Sequence, residues 1–280
     1  MIHDHKDSGL EKGTRAMAFP EVRRVVYEIN PLEEVICQLR FPPILKIDAA
    51  PPVDFQESIR PIYPFYKTRA NIQLGLGVPP DVARLLSKEL PFMLGQLTHE
   101  FGSTDEQWTL TLTREFLGLT CKRYERWGGF RARLDEALKA LLDFYSPNFF
   151  VRIGLRYKNV IRRSKLGLGQ ADWSELLNDW IVGAYSSRDI RNEIEMHMLQ
   201  MQIRLQDGLG RVLVSCGVLR DGQTNEECYL IDADFFIDTK VEPSHALERL
   251  DFLNIQSDRF FRWCIRDRLH SALLAPPRVS

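Results

Sequence analysis

Four basic side chains fall at matching positions of two predicted strands and have the chemistry to bind an anion. Arg152, Arg156 and Lys158 alternate with apolar residues in one strand, so they share its non-core face. Arg40 follows a leucine and precedes an aromatic residue in an earlier strand, as Arg156 does in the later one. The guanidinium fork binds a carboxylate or a phosphate through two parallel hydrogen bonds. Two interpretations follow: ion pairs with acidic residues across the sheet, which we favour, or a groove that binds an anionic ligand.

Two carboxylates on a later predicted strand are weak candidates for a metal site. Asp232 and Asp234 stand two residues apart, which places them on one face of the strand. Together they could hold Mg²⁺, which prefers oxygen ligands. No histidine or third carboxylate accompanies them at a suitable spacing. We therefore favour a solvated acidic face that balances basic residues elsewhere, and we predict no metal and no cofactor.

The sequence contains none of the short motifs that mark common catalytic sites. It has no GxSxG, Walker or HExxH pattern. His197 lies on the apolar side of a predicted strand, where a core histidine is the favoured interpretation. Gly167 and Gly169 follow a basic strand and are interpreted as a turn. We predict no catalytic residue.

Charge is distributed unevenly along a chain whose total is nearly neutral. The formal net charge is −1. Residues 114–165 carry 13 lysines and arginines against 5 acidic residues, and both flanks are acidic. A near-neutral total excludes a general polyanion binder, and compensation between faces explains the imbalance.

The compartment is predicted from the cysteines and from the apolar runs. The five cysteines are widely spaced and form no CxxC pair, which favours buried thiols in a reducing compartment. Residues 1–19 are polar and are predicted to be a disordered leader, without the apolar region of a signal peptide. No run approaches the roughly 20 apolar residues of a membrane span. We expect a cytoplasmic protein without a membrane partner.

Two stretches of the chain repeat one pattern in the same order. The alternating strand 35–41 matches 151–157 at an offset of 116 residues. The segment Asp54-Phe55-Gln56-Glu57 matches Asp172-Trp173-Ser174-Glu175 at an offset of 118, and each aspartate is predicted to cap a helix. Agreement of both parts at nearly one offset indicates an internal duplication.

Each copy is predicted to contain a strand, a helix, an antiparallel meander and a closing helix. The closing helix is predicted from about Phe130 to Tyr145 in the first copy, and a helical region from about Pro243 to Leu274 closes the second. The first module spans 20–147, with an irregular insertion at 64–106 that includes a short helix at 81–94. The second module spans 148–280. The order resembles the TATA-box-binding and helix-grip class of α+β modules, with helices on one face of the sheet. Two tandem modules would form one sheet with a pseudo-two-fold axis.

Several segments resemble a sporadically distributed family of uncharacterised prokaryotic proteins of similar length. The resemblance is carried by residues 27–35, the hairpin 108–121, the segment 147–150 and the run 154–161. It implies an accessory component of a patchily distributed prokaryotic locus. It implies no activity and no catalytic residue.

Two functional hypotheses follow from the sequence. The first is a non-enzymatic binding or interaction protein whose partner is another protein or a second copy of the chain. The alternative is a nucleotide- or RNA-binding protein, or a metal-dependent hydrolase, that uses Arg40, Arg152, Arg156 and Lys158 on phosphates. A cleft lined by these cations would favour the alternative, and an exposed apolar patch would favour the first.

Overall fold

The described residues fold as an α+β protein around a nine-stranded, antiparallel, open sheet. The computed structural model describes residues 19–70, 97–205 and 208–276. The strands in chain order are β1 (Leu32–Arg40), β2 (Phe65–Ala70), β3 (Leu97–Gly102), β4 (Trp108–Thr113), β5 (Phe116–Cys121), β6 (Arg152–Arg162), β7 (Met198–Arg204), β8 (Arg211–Arg220) and β9 (Glu227–Ile237). Across the sheet they follow the order β2-β3-β4-β5-β1-β6-β9-β8-β7.

The two strands of the repeated pattern lie side by side at the centre of the sheet. Cys37 of β1 faces Leu155 of β6, and Leu39 faces Ile153. The period-two alternation puts these side chains on one face of the sheet, where Leu39 and Leu155 are both 0% exposed. The alternation in the two repeated strands therefore separates a buried face from the opposite face of the sheet.

Helices cover the face of the sheet that carries these leucines. In the described ranges they are α1 (Lys46–Ala49), α2 (Val53–Ile59), α3 (Trp127–Tyr145), α4 (Trp173–Leu176), α5 (Asp179–Val182), α6 (Ala246–Cys264) and α7 (Asp267–Leu274). Helix α3 contacts β5 and α2, and α6 contacts β6 and β9. The opposite face, which we call the open face, carries alternate residues such as Gln38 and Arg156.

Helix α3 begins and ends where the sequence predicted, within a few residues. Phe130, Leu134 and Leu141 are buried on one side, as their helical spacing requires. Ser146 ends the helix in the left-handed conformation at φ 45°, where its N–H donates to the Leu141 carbonyl at 3.2 Å. Pro147 follows and cannot continue the helix.

Three local predictions require correction. The segment 64–106 is not an irregular insertion throughout, because β2 and β3 lie near its two ends. The predicted helix 81–94 lies outside the described residues. Asp54 does not cap α2, which begins at Val53 after Pro52. The predicted helical region 243–274 is not one helix, because it breaks at Ile265, whose extended backbone forms a bridge to Leu177.

The matching position in the second half does cap its helix. Asp172 is the N-cap of α4, and its backbone N–H donates to Glu175 Oε1 at 3.2 Å. Phe55 and Trp173, the aromatic residues of the two repeated segments, are both buried.

Glu227 at the start of β9 holds the irregular segment after β6 against the sheet. Its Oε1 accepts hydrogen bonds from Arg163 Nη2 at 2.9 Å and Trp173 Nε1 at 2.8 Å. Its Oε2 accepts one from the Tyr185 hydroxyl at 2.6 Å. Burial alone would raise the pKa of Glu227, but the hydrogen bonds from Tyr185 and Trp173 and the charge of Arg163 lower it overall.

Three further predictions concern the ends of the chain, the thiols and membrane spans. Phe19, which was assigned to the predicted leader, is buried against Phe260, with 5.3 Å between the ring centroids. Residues 1–18 of the predicted leader lie outside the described part of the chain. All five cysteines are buried and unpaired, as expected. Within the described ranges, no helix has the length and apolar character needed to cross a bilayer.

Candidate ligand-binding site

The predicted basic cluster lies on the open face, where two of its arginines meet aspartates of β9. Arg156 binds Asp232 through two hydrogen bonds, Nε to Oδ1 at 2.8 Å and Nη2 to Oδ2 at 2.5 Å. Arg152 Nη2 donates to Asp234 Oδ2 at 2.7 Å. Both pairs bridge β6 and β9, and they bring together the arginines and aspartates that the sequence suggested separately.

The Arg152 side chain lies flat along its own strand. Its guanidinium stands 4.7 Å above the ring of Phe236, a cation–π contact. The glycine at 154 leaves the space for it, because a Cβ there would come within 2.7 Å of Arg152 Nη1. The orientation of Arg152 is therefore fixed by its partners on the sheet.

The pKa shifts in this cluster reflect both ion pairing and burial. The hydrogen bond to Asp232 raises the pKa of Arg156. Burial raises the pKa of Asp234, while the nearby charge of Arg152 opposes the shift. The acidic oxygens are thus occupied by guanidinium groups.

The remaining two cations of the cluster also face carboxylates. Arg40 is exposed, and its Nη2 lies 3.8 Å from Glu115 Oε2. Lys158 stands opposite Glu34 of β1 in the strand register. Four cations on this part of the open face are balanced by four carboxylates, so it presents little net charge to an anion.

In the described part of the chain, Asp232 and Asp234 have no third protein ligand for a metal nearby. Among the residues that the structure describes, no group of three or more histidine, cysteine, aspartate or glutamate side chains could hold a metal ion. Both carboxylates instead accept hydrogen bonds from arginines.

A cavity of about 400 Å³ opens on the other side of the sheet, among its covering elements. We call it the aromatic cavity, because seven rings line it: Tyr27, Tyr124, Trp127, Tyr157, Phe235, Phe260 and Phe261. Its size lies within the range typical of small-molecule sites. No residue of the predicted basic cluster lines it.

Four parts of the chain build the aromatic cavity. The floor is formed by core-facing residues of β6 and β9, among them Tyr157 and Phe235. One wall is the segment of α6 from Ser257 to Arg262, and another is the turn before α3 with its first residues. The segment 22–32 closes the remaining side.

The segment 22–32 is held in place at both ends. Near its start, the buried ring of Phe19 contacts Trp263 at 5.5 Å between centroids. Further along, the Tyr27 hydroxyl is 2.9 Å from His270 Nδ1, and the Ile29 N–H donates to the Leu273 carbonyl at 3.1 Å. This wall is therefore anchored to α6 and α7.

Polar groups of the aromatic cavity are concentrated near α6. Asn254 Nδ2 donates to the Tyr157 hydroxyl at 2.8 Å. Arg24 reaches from the segment 22–32 to the Asp258 carboxylate and to Asn254 Oδ1. Burial raises the pKa of Asp258, and the charge of Arg24 opposes this shift.

Three tyrosine hydroxyls at the aromatic cavity stay protonated at neutral pH. Burial raises the pKa of Tyr27 to about 12, and it also raises the pKa values of Tyr124 and Tyr157. These groups act as neutral hydrogen-bonding partners, while the rings around them offer apolar faces. The site can bind a partly apolar molecule and orient it with a few polar contacts.

The sequence offered little indication of this site. Its lining is drawn from positions between 22 and 262, and most of its aromatic residues look like ordinary core residues in the sequence. In the sequence, Gly128 and Gly129 indicate only that a helix follows.

Comparison with known proteins gives no family for this fold and cavity: no protein-family model matches the chain, and no curated protein matches it.

Proposed function

We propose that this chain is a non-enzymatic binding protein that holds a small organic molecule in the aromatic cavity. The observation that carries the proposal is the cavity itself, about 400 Å³ in volume and lined by seven aromatic rings. A concave, mostly apolar site with a few convergent polar groups is the usual form of a ligand pocket. An accessory role in a patchily distributed prokaryotic locus, which the family resemblance implies, is compatible with ligand binding.

The side chains around the cavity support binding rather than catalysis. Because burial raises the pKa values of Tyr124 and Tyr157, these hydroxyls stay protonated at neutral pH and are not available as general bases. The Asp258 carboxylate is engaged by Arg24. These groups are suited to orient a bound molecule.

The proposal is tested by titrating the protein with the fluorescent apolar probe N-phenyl-1-naphthylamine. Ala233 lies on the cavity floor and is buried, so Ala233→Leu would place a larger side chain in the space. We expect wild type to bind the probe and Ala233→Leu to bind it at least about tenfold more weakly, since the added atoms exclude the ligand. The matched control is Ala132→Leu, at an exposed position of α3. Equal affinity in wild type and a folded Ala233→Leu variant would contradict the proposal.

We also propose that the fold arose by duplication of a module of the TATA-box-binding or helix-grip class. The suggested modules are 20–147 and 148–280. Support comes from the strand order, in which β1 is followed by β5, β4 and β3 on one side and β6 by β9, β8 and β7 on the other. Gln38 also faces Gly154, and these residues are separated by the repeat offset of 116. A pseudo-two-fold axis would pass between them.

A second candidate function is self-association, and the edge strand β7 favours it. Met198–Arg204 carries no charge before Arg204, and Met196 and Met198 are exposed. The opposite edge, β2, carries Lys67 and Arg69, which discourage pairing with another strand. Two copies would pair β7 with β7 about a two-fold axis. Sedimentation should show a dimer that Gln200→Lys dissociates, and a monomeric wild type would contradict this candidate.

The nucleotide- or RNA-binding alternative, with or without metal-dependent hydrolysis, has weaker support. Arg152 and Arg156 are committed to aspartates, and the balanced charge of the open face would give phosphate little attraction.

A further inference from the structure

We infer that the ligand of the aromatic cavity is a flat aromatic molecule that carries an acidic group. This inference rests on the proposed function and adds the chemical class of the ligand. The rings inside the cavity favour an aromatic ring in the ligand, and unpaired arginines at the rim of the cavity favour a negative charge on it.

The interior of the cavity is suited to a flat ring. Trp127 and Phe261 stand on different walls, while Phe235 and Tyr157 form the floor. Aromatic rings pack against one another in offset or edge-to-face arrangements, which favour a planar ligand over a bulky aliphatic one.

Four arginines and two carboxylates line the cavity, and two of the arginines are already engaged. Arg24 binds Asp258. Arg262 donates to the Ile265 carbonyl at 2.9 Å and to Asp267. The charges of these groups are therefore largely satisfied within the protein.

The remaining charges at the rim favour an anion. Arg23 and Arg126 are exposed, and neither side chain has a hydrogen bond or ion pair with any residue of the described ranges. They face one further acid, Glu125, which leaves the rim with net positive charge. Arg126 also precedes α3, whose first turn contains no acidic residue to offset the partial positive charge of its N-terminus. A cationic ligand would be repelled here, because the one other carboxylate, Asp258, is neutralised by Arg24.

The test compares three naphthalene probes that differ in charge: naphthalene-2-sulfonate, 2-methoxynaphthalene and a naphthylmethyl-trimethylammonium ion. Binding to the full chain is measured by quenching of tryptophan fluorescence at low and high salt. We expect the sulfonate to bind most tightly and the ammonium most weakly. Only the binding of the sulfonate should weaken as salt rises, since salt screens its attraction to the rim arginines.

The variant Arg23→Ala/Arg126→Ala isolates the contribution of the rim. It should weaken sulfonate binding by about five- to tenfold, the effect of two exposed charge contacts, and change binding of the neutral probe less than about twofold. The matched control, Arg60→Ala/Arg188→Ala, removes two exposed arginines that do not line the cavity and should change neither affinity.

The outcomes separate this inference from the proposed function. Equal affinity for the sulfonate and the neutral probe, or unchanged sulfonate binding in the rim variant, would overturn the anionic class and leave the cavity as a binding site. If the ammonium bound most tightly, the anionic class would be overturned in favour of a cationic ligand that Asp258 recognises. Failure of all three probes to bind would overturn the proposed function and this inference with it.

Discussion

Replacement of Leu155 by alanine tests the assignment of the buried face at the centre of the sheet. Leu155 is fully buried on β6, between Cys37 of β1 and Phe235 of β9, and α6 packs over this strand. Because neighbouring strands flank the site on both sides, the surroundings can collapse only partly into the space left by the side chain. Loss of burial together with an unfilled cavity predicts a decrease in unfolding free energy of about 3–5 kcal/mol.

The measurement is equilibrium unfolding in urea, followed by far-UV circular dichroism. The matched control is Leu213→Ala, which removes a leucine from the open face of β8, where the side chain is half-buried and faces Asp234. We expect Leu213→Ala to lower the unfolding free energy by less than about half as much as Leu155→Ala. The reason is that the half-buried leucine exposes less additional apolar area on unfolding than the fully buried one. The denaturant slope should stay constant in both variants. A loss below about 1 kcal/mol for Leu155→Ala, or equal losses in the two variants, would refute the assignment of the two faces.

Three other predictions concern the half-buried carboxylate of Glu227, the thiols and the open face. Glu227→Gln should lower the unfolding free energy by about 1–3 kcal/mol at neutral pH, because the donors of Glu227 lose a charged acceptor. Since folding lowers the pKa of Glu227, its contribution is present above the ordinary carboxyl pKa and is lost as pH falls through the folded value; acid titration of the variant should therefore show a shallower loss of stability. Ellman's reagent should modify none of the five cysteines within minutes in the native protein and all five in denaturant, because the thiols are buried and burial raises the pKa of, for example, Cys216 to about 12; rapid native reaction would contradict this. Arg40→Ala/Arg156→Ala should leave any binding of short RNA unchanged at two salt concentrations, and a weakened, salt-dependent affinity in the folded variant would restore the alternative function.

The parts of the fold that follow from local periodicity could be predicted from the sequence. Alternation in β1 and β6 determined which residues face the core, and the spacing of apolar residues located α3. Strand β2 was missed because an exposed edge strand buries few side chains, so Phe65–Ala70 shows no alternation. The break at Ile265 depends on its bridge to Leu177, a contact that no local pattern contains.

The site was harder to predict because it depends on register and on contacts between distant segments. The sequence placed Arg156 and Asp232 each on a strand face, but only the pairing of β6 with β9 brings them within hydrogen-bonding distance. The aromatic cavity joins segments separated by more than 200 residues in the chain. Rings such as Phe235 are indistinguishable from core residues in the sequence, since the same apolar character serves both roles.

A crystal structure of the full chain with naphthalene-2-sulfonate would locate the bound molecule and so test ligand binding in the aromatic cavity. We expect the naphthalene ring to lie in the aromatic cavity between Trp127 and Phe261, with the sulfonate directed towards Arg23 and Arg126. Density for the probe on the open face beside Arg156, together with an aromatic cavity that contains no probe, would contradict ligand binding in the cavity.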